Sequence, residues 1–415
     1  MSAAAPPHPA AEPGISTAGP DRQSARFMYM YALAVSGGAV AYIPFLTILL
    51  PLRATSLAGD DALDVLAIAA FAGAIAASVA NIGFGWASDV TGTRRPWIMA
   101  GLFLSTSMLL AMPLATSVPL LISMIVIWQV SLNMMLAPLA AWAGDSIPDS
   151  QKGLLGGLLA LAPALGALSG AVVTLEWLVP FENREVLVGI FVMLLVCPLL
   201  FAGRPVAMPH LMHPNGTGID QKSRITTHKR GTVQMWLARL LVQIAEASLF
   251  AFLLLWFRSL KPDFTANTAA TIFAFVLGFA VFLALAVGRW SDRASRPILP
   301  LIWGSAIAAA GLVIMAFAPN LTIAIIGYVA FGLSSSIFLA LHSSQTLRVL
   351  PRPHTRGRDL GIFNLTNTFP SLIMPWLTLA LVPKYGFYAL FLLLAALAMV
   401  ATLLLLNMRR RGTAD

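Results

Sequence analysis

One acidic side chain, Glu246, lies deep inside a long apolar run and is the residue best placed to exchange a proton. The run begins near residue 234, which puts Glu246 about twelve residues, or roughly 18 Å, along a helix. An ionised carboxylate at that depth is unfavourable unless it faces a partner or a water-filled cavity. Arg239 and Gln243 precede Glu246 on the same helical face. This stripe predicts a proton site or, alternatively, a polar contact between helices.

Further hydrogen-bonding side chains lie in apolar runs of both halves of the chain. Groups of this kind orient a small solute in an otherwise apolar pocket, although each one alone could serve helix packing. His342 is the second candidate for a proton carrier, because a free imidazole titrates near neutral pH. We expect the substrate cavity to contain Tyr31, Tyr42, Gln129, Asn133, Arg239, Gln243, Gln345, Asn364 and Asn367.

The sequence lacks the patterns that carry several other chemistries. Cys197 is the only cysteine, so a disulfide framework and a cysteine-based metal site are excluded. None of the five lysines follows a glycine, and a phosphate-binding loop of an ATP-driven pump is therefore excluded. The sequence contains no pattern of a nucleophile with a base, and no paired carboxylates, that would indicate catalysis. We expect no enzymatic activity, no cofactor and no bound metal.

The composition indicates a protein of the lipid bilayer. Of 415 residues, 58% are hydrophobic and only 10% are charged, whereas about a quarter of the residues in a soluble domain are charged. The net charge of +9 resides in loops between apolar runs, which argues against a nucleic-acid partner. The runs have the length of about 20 residues that crosses a bilayer. They predict an all-α membrane protein with twelve transmembrane helices.

Two similar loop motifs indicate that the chain is a duplication. Each motif lies between two apolar runs, and the second copy has Ser295 where the first has Gly92. Two six-helix pseudo-repeats are therefore predicted, an architecture in which solutes bind between the halves. The copies, about 200 residues apart, read Gly85-Trp-Ala-Ser-Asp89-Val-Thr-Gly92-Thr-Arg94-Arg95 and Gly288-Arg-Trp-Ser-Asp292-Arg-Ala-Ser-Arg296.

The first motif matches the G-x-x-x-D-x-x-G-x-R-R signature between spans 2 and 3 of the major facilitator superfamily (MFS), and almost the whole chain resembles that family's two-repeat plan. The resemblance implies the MFS fold. It also implies a cytoplasmic latch that holds the halves together when the cavity faces outward; the alternative is a motif that serves only the turn and the topology. We assign the latch to Gly85, Asp89, Gly92, Arg94, Arg95, Asp292 and Arg296.

Two other segments resemble the sugar and glycoside cation symporters, the sucrose-type branch of this superfamily. One follows span 4 and the other enters span 11. The tenth predicted span, near residues 320–346, departs from the branch. His342 and Gln345 lie near its cytoplasmic end, where the sugar carriers have an acidic residue. The segments are Asp145-Ser-Ile-Pro148-Asp-Ser-Gln-Lys-Gly153 and Gly357-Arg-Asp359-Leu-Gly361-Ile-Phe-Asn364-Leu-Thr-Asn367.

Charge and composition divide the chain into five segments. We predict a disordered cytoplasmic tail over 1–25, a six-helix half over 26–203, a cytoplasmic linker over 204–233, a second half over 234–408 and a basic tail over 409–415. With these bounds, about 20 of the 26 lysines and arginines lie on one side of the membrane. The positive-inside rule then places both termini in the cytoplasm. We expect a multi-pass protein of the cell inner membrane.

Three functional classes remain open from the sequence. The first is a proton-coupled importer of a small organic solute, such as a sugar or glycoside, that works by alternating access. The second is a proton-exchanging exporter of amphipathic compounds, which a lining rich in methionine and phenylalanine would suit. The third is a carrier fold used for assembly or sensing. We expect the solute, the proton and the lipid bilayer as partners, and a functional monomer.

Overall fold

The computed structural model describes residues 22–175, 180, 183–208, 211, 218–350 and 353–410, and of residues 218–229 the main chain alone. Almost all described residues are helical. Proline in the first turn begins α4 and α5, where its missing N–H is not needed. The first half comprises α1 (Ala25–Pro44), α2 (Leu50–Ala58), α3 (Ala62–Val90), α4 (Arg95–Ala111), α5 (Val118–Ser146), α6 (Lys152–Leu159), α7 (Leu161–Val173) and α8 (Arg184–Ala202).

The second half repeats this pattern with longer helices. Thr265 and Asn320 cap two of them, because each side-chain oxygen accepts a hydrogen bond from a backbone N–H three residues later. The helices are α9 (Gly218–Leu260), α10 (Ala266–Arg293), α11 (Leu299–Ala316), α12 (Leu321–Val349) and α13 (Arg356–Arg410).

Several membrane-length segments are bent or divided. A π-helical turn over Phe45–Leu49 joins α1 to α2, and α6 and α7 are separated at Ala160, close to Pro163, which cannot donate to the preceding turn. The long helix α13 is kinked at Gly386, whose φ of 72° and ψ of 178° lie outside the helical region. It therefore contains two consecutive segments of the predicted pattern.

Ten helical segments in the described part of the chain are long and apolar enough to cross a membrane. Helix α9 and the part of α13 before residue 380 are not among these ten, although both are continuous helix. The short helical turns that connect the segments are Gly59–Asp61, Met112–Leu114, Asp149–Gln151 and Pro353–Thr355. The helical pattern follows the predicted order of runs, and the count of membrane spans is ten by these criteria.

The duplication predicted from the motifs extends to the backbone conformation. Gly92 ends the turn after α3 with a φ of 62°, and Ser295 takes a φ of 51° at the equivalent turn after α10. A left-handed residue allows the chain to reverse there, and a side chain makes that conformation less favourable than it is for glycine. Ser295 thus takes the left-handed φ that glycine has in the first motif.

The two halves pack against each other through a few helices. Helix α3 contacts α13, and α6 contacts both α10 and α12. Close approach is possible because glycines face each other at two places. Gly85 lies against Gly357, and Gly153 lies against Gly288, so closely that a Cβ on any of the four would overlap the backbone carbonyl oxygen opposite.

Two of the predicted segments contain residues that are ordered in the structure, and most of the two tails is not described. Residues 1–21 and 411–415 of the two tails lie outside the described residues. Gln23, inside the predicted disordered tail, is buried, and its side-chain amide donates to the carbonyl oxygen of Ser146 at 2.8 Å. Helix α9 begins at Gly218, within the predicted linker over 204–233. Local composition could not predict the burial of Gln23, because its hydrogen-bond partners are distant in the sequence.

Candidate functional site

A cavity of about 690 Å³ lies between the two halves. Helices α1, α3, α5, α6 and α7 line it from the first half, and α9, α10, α12 and α13 line it from the second. Nine of the residues predicted for the cavity or the proton site contribute to its wall. They are Tyr31, Tyr42, Gln129, Asn133, Arg239, Gln243, Glu246, Asn364 and Asn367.

Glu246 and Arg239 are the charged residues in the described wall of this cavity. The Gln243 side-chain amide donates to Glu246 Oε2 at 3.1 Å within α9. Among the described residues, no cationic group lies within 4.0 Å of the Glu246 carboxylate. The partly buried carboxylate is therefore available to a proton or a solute.

Arg239 is held at the cavity wall by neutral groups of α12 and α13. Its Nη1 atom donates to Ser343 Oγ at 2.9 Å and to the Leu339 carbonyl oxygen at 3.3 Å. Its Nη2 atom donates to Asn367 Oδ1 at 3.3 Å. These contacts join α9 to two neighbouring helices and fix the guanidinium without neutralising its charge.

The first half contributes a chain of carboxamides to the opposite wall. Asn81 Nδ2 donates to Asn133 Oδ1 at 2.7 Å, and Asn133 Nδ2 donates to the Gln129 carbonyl oxygen at 2.9 Å. Tyr42 is 38% exposed within the same cavity. The sequence analysis missed Asn81, although it is a lone amide in the apolar run of α3 and carried the same signal as Asn133.

Two predicted residues, His342 and Gln345, do not line the cavity. His342 is fully buried behind the wall, where Nε2 lies 2.9 Å from the Met235 carbonyl oxygen and Nδ1 lies 3.2 Å from Thr346 Oγ1. Gln345 is also buried, and its side-chain amide has no hydrogen-bond partner in the described part of the chain. The reason is helical geometry: Leu339 and Ser343 occupy the cavity face of α12, and residues 342 and 345 point away from it.

His342 has a geometry that suits a neutral ring holding helices together. One ring nitrogen faces a backbone carbonyl and the other faces Thr346 Oγ1 and, at 3.5 Å, Arg239 Nη1. A neutral imidazole donates from one nitrogen and accepts at the other, which matches these surroundings. A doubly protonated ring would direct an N–H at the arginine. The role of His342 as a proton carrier stays a prediction.

The first loop motif forms a cluster with residues of both halves, which we call the motif cluster: Asp89, Arg94, Asp145 and Arg356. The Asp89 carboxylate accepts from the backbone N–H groups of Gly357 and Arg358, each at 3.0 Å. Both N–H groups belong to the first turn of α13, where helical donors lack internal partners and the helix dipole attracts an anion. Asp89 therefore caps a helix of the opposite half.

Arginines on both sides extend this contact. Arg94 lies 2.8 Å from Asp89 Oδ1 and also 2.8 Å from Asp145 Oδ2. Asp145 Oδ1 in turn accepts from Arg356 at 2.7 Å. The four side chains thus alternate in charge across the boundary between the halves. The sequence analysis quoted Asp145 in a segment without assigning it a role and did not single out Arg356, because the partners of both come from other loops.

The second motif forms an equivalent contact, which we call the repeat cluster: Asp292 and Arg348. Asp292 accepts from the backbone N–H groups of Gly153 and Leu154, both at 2.7 Å, in the first turn of α6. Its cation is Arg348, at 3.8 Å. Two carboxylates related by the duplication thus cap two helices, each in the opposite half.

Two predicted latch residues lie elsewhere. Arg95 donates to the Gly203 carbonyl oxygen, and its guanidinium carbon lies 5.2 Å from the centre of the Trp142 ring, so it packs within the first half. The Arg296 side chain is exposed, and the cation beside Asp292 is Arg348 of α12. Sequence adjacency to the motif misled both assignments, because the turn directs consecutive side chains to different surfaces.

The end of the molecule that carries the motif cluster and the repeat cluster is called the motif end. We expect Asp89→Asn to weaken the closed state of the motif end more than Asp292→Asn does. Asparagine cannot pair with Arg94 and offers one acceptor atom instead of two, which destabilises the buried contact by about 2–4 kcal/mol. Asp292 has the longer ion pair, so its loss matters less. The measurement is maleimide labelling of Leu347→Cys, a cavity position, in inverted vesicles of a Cys197→Ala background.

In that assay, faster labelling for Asp89→Asn than for Asp292→Asn supports the assignment. Unchanged labelling with normal protein levels in both variants would contradict a role of the clusters in closure. A loss of folded protein in both variants would favour the alternative of a turn-forming motif.

The comparisons with known proteins concern the family and the fold. A family model, the Major Facilitator Superfamily, matches residues 235–414, which is the second half of the chain. No curated protein matches the sequence significantly.

In the described part of the chain, no three His, Cys, Asp or Glu side chains are grouped to hold a metal ion.

Solved structures match over nearly the whole chain. The human organic anion transporter TETRAN is 14% identical with a TM-score of 0.71, and the match covers 92% of this chain and 99% of that chain. The FucP transporter of E. coli in its outward conformation is 15% identical with a TM-score of 0.71 and coverages of 92% and 98%. A bacterial homologue of the iron transporter ferroportin, in an outward-facing state, is 15% identical with a TM-score of 0.70 and coverages of 93% and 99%.

These likenesses show the fold. The chain is a multi-pass membrane protein with the MFS fold, which confirms the predicted all-α membrane fold.

Proposed function

We propose that the protein is a secondary active transporter that moves a small polar organic solute across the membrane by proton-coupled alternating access. One observation carries the proposal: a cavity with polar side chains from both halves lies between two repeated halves that meet at one end through reciprocal helix caps. Carriers of repeated architecture bind solutes between their halves and expose the site alternately to each side. Breaking the caps at this end would open the cavity to that side.

Glu246 supports proton coupling. Its carboxylate lines the cavity, has Gln243 as a hydrogen-bond donor and lacks a cationic partner among the described residues within 4.0 Å. A group in that position can gain or lose a proton as the cavity faces one side of the membrane or the other. The similar FucP structure is of a fucose:proton symporter, which agrees with this chemistry.

The polarity of the wall favours a solute that forms many hydrogen bonds. Carboxamides line it from both halves, including Asn81, Asn133, Gln243, Asn364 and Asn367. Such groups match the hydroxyls of a sugar or sugar-derived solute, as the sucrose-type segments of the sequence suggest. An amphipathic drug-like compound would leave these amides without partners, so export of such compounds is the weaker alternative. The cavity is completed within one chain, which supports a functional monomer.

The basic loops support an inner-membrane location with both termini in the cytoplasm, and the motif end would then face the cytoplasm. Cysteines at Thr93 and Ser117 test this orientation, because both positions are exposed and lie in loops at opposite ends of α4. In a Cys197→Ala background, an impermeant maleimide should label Ser117→Cys in intact cells and Thr93→Cys in inverted vesicles. Labelling of both from one side would overturn the orientation.

Transport itself is testable in reconstituted vesicles that contain a pH-sensitive dye. Sucrose, fucose, gluconate, lactate and quinate are added outside, one at a time. We expect at least one of them to cause proton entry that protein-free vesicles do not show. Proton movement with none of these solutes would argue against the proposed coupling.

A further inference from the structure

The guanidinium of Arg239 bonds to uncharged groups at the cavity wall, and Glu246, the other charged residue of the described wall, lies farther than 4.0 Å from it. The contacts of this guanidinium are a serine hydroxyl, an asparagine side-chain oxygen, a backbone carbonyl oxygen and the Nδ1 atom of the His342 ring. No carboxylate in the described part of the chain lies within 4.0 Å of it. Arg239 is partly buried, and an anion in direct contact stabilises a cation in a membrane-spanning segment. The geometry therefore leaves room for an anion supplied from outside.

One edge of this guanidinium remains open. Arginine has five N–H donors, and the contacts of Arg239 occupy Nη1 and part of Nη2. Among the described residues no acceptor is bonded to Nε, and Nη2 bonds to Asn367 alone. Nε–H and the second hydrogen of Nη2 can thus form the parallel pair of hydrogen bonds with which arginine binds a carboxylate.

The neighbouring amides reinforce this polarity. Because arginine only donates, the atom of Asn367 that faces it must be oxygen, so Asn367 Nδ2 points to Asn364 Oδ1, at 2.8 Å. The remaining polar group of Asn364 is then its NH₂. Arg239 and Asn364 together present hydrogen-bond donors to the cavity, which match a group that only accepts.

The opposite wall has the complementary character. Asn81 donates to Asn133 through Nδ2, so the side-chain oxygen Oδ1 of Asn81 can accept a hydrogen bond from a solute. A solute that spans the cavity would therefore meet donors on α9 and α13 and an acceptor on α3. A carboxylate at one end and hydroxyl groups at the other satisfy both walls, and a volume of about 690 Å³ suits a small solute.

We propose that the solute is a small hydroxylated carboxylate whose carboxylate binds the open edge of Arg239 and the amide of Asn364. This inference rests on the proposed transport function, which it narrows to an organic anion. A neutral sugar of the same size would leave the guanidinium without a direct contact to an anion and would bind less tightly.

Binding to the purified full-length protein in detergent tests this assignment without transport. The probes are three hydroxy acids, lactate, gluconate and quinate, and three neutral counterparts, 1,2-propanediol, sorbitol and glucose. We expect at least one acid to raise the melting temperature, with its neutral counterpart inactive at the same concentration. Arg239→Gln should raise the Kd of that acid about 10- to 100-fold, as expected for a lost charged hydrogen bond.

Asn364→Asp is a second variant, chosen because it keeps the oxygen that accepts from Asn367 and replaces only the free NH₂. Its added negative charge should weaken binding of the acid as well. Arg409→Gln, the same substitution at an exposed position near the end of α13 and outside the cavity, serves as the matched control and should leave the Kd unchanged.

The assignment would be overturned if the neutral polyols stabilised the protein as much as the acids do. It would also be overturned if none of the acids stabilised the protein. An unchanged Kd in both Arg239→Gln and Asn364→Asp would overturn it too. Failure of the transport proposal is separate: acids would bind with the expected Arg239 dependence, and yet no solute would move protons in vesicles.

Discussion

Replacement of Glu246 by glutamine is expected to abolish transport driven by a pH gradient while substrate exchange continues. Glutamine keeps the shape of the side chain and can still accept from Gln243, but it cannot exchange a proton. With one proton per solute, a gradient of one pH unit supports an accumulation of about tenfold, since about 1.4 kcal/mol corresponds to a factor of ten. The variant should reach a ratio of about one.

The measurement uses reconstituted vesicles and the solute that causes proton entry with the wild-type protein. Accumulation is compared with and without a pH gradient, and exchange is followed with labelled solute on both sides. Glu246→Asp, which can still ionise, should retain coupling. His342→Gln should retain it too, because His342 lies behind the wall of the cavity.

Gradient-driven accumulation at the wild-type level in Glu246→Gln would move the coupling role to His342 or to another group, and Glu246 would then be a packing residue. Loss of both accumulation and exchange would point instead to direct solute binding by this carboxylate.

Replacement of Gly288 by alanine is expected to force the two halves apart at the motif end. An added Cβ would overlap the carbonyl oxygen of Gly153, and a backbone atom cannot move aside as a flexible side chain can. Overpacking of this kind typically costs about 1–3 kcal/mol, which shifts a two-state equilibrium by about 5- to 150-fold. Gly85→Ala, opposite Gly357, should act in the same direction.

Spin labels at Thr93 and Arg296 measure this separation, because both side chains are exposed and lie on opposite halves. The label-to-label distance in a Cys197→Ala background should lengthen in Gly288→Ala and Gly85→Ala. Gly278→Ala and Gly83→Ala are matched controls on the same two helices, since a Cβ at either position meets nothing within 4 Å. Equal distances in all four variants would contradict closure by glycine contact.

The sequence was sufficient for features that depend on local spacing. The Arg239, Gln243 and Glu246 stripe lines the cavity as predicted, because helical periodicity places residues on one face whatever the helix packs against. The duplication is equally local, since each motif is a turn between two helices. Gly92 and Ser295 even share a left-handed backbone conformation.

Contacts between distant segments could not be predicted in this way. Asp89 accepts from Gly357, 268 residues away, and the pairing depends on how α3 and α13 are placed by the rest of the fold. The same is true of Arg348, which lies beside Asp292 although the sequence analysis assigned the basic residue of this motif, Arg296, to the latch. Nothing in either loop specifies which helix end of the other half will face it.

The sequence by itself therefore determined an apolar, duplicated helical chain with one buried acid, because composition and periodicity are properties of each segment alone. The tertiary structure decided which polar groups share a surface. His342 and Gln345 are as polar as Asn364 and Asn367, and yet the rotation of α12, set by its packing against α9 and α11, turns them away from the cavity. Side-chain direction around a packed helix is fixed by all its neighbours together.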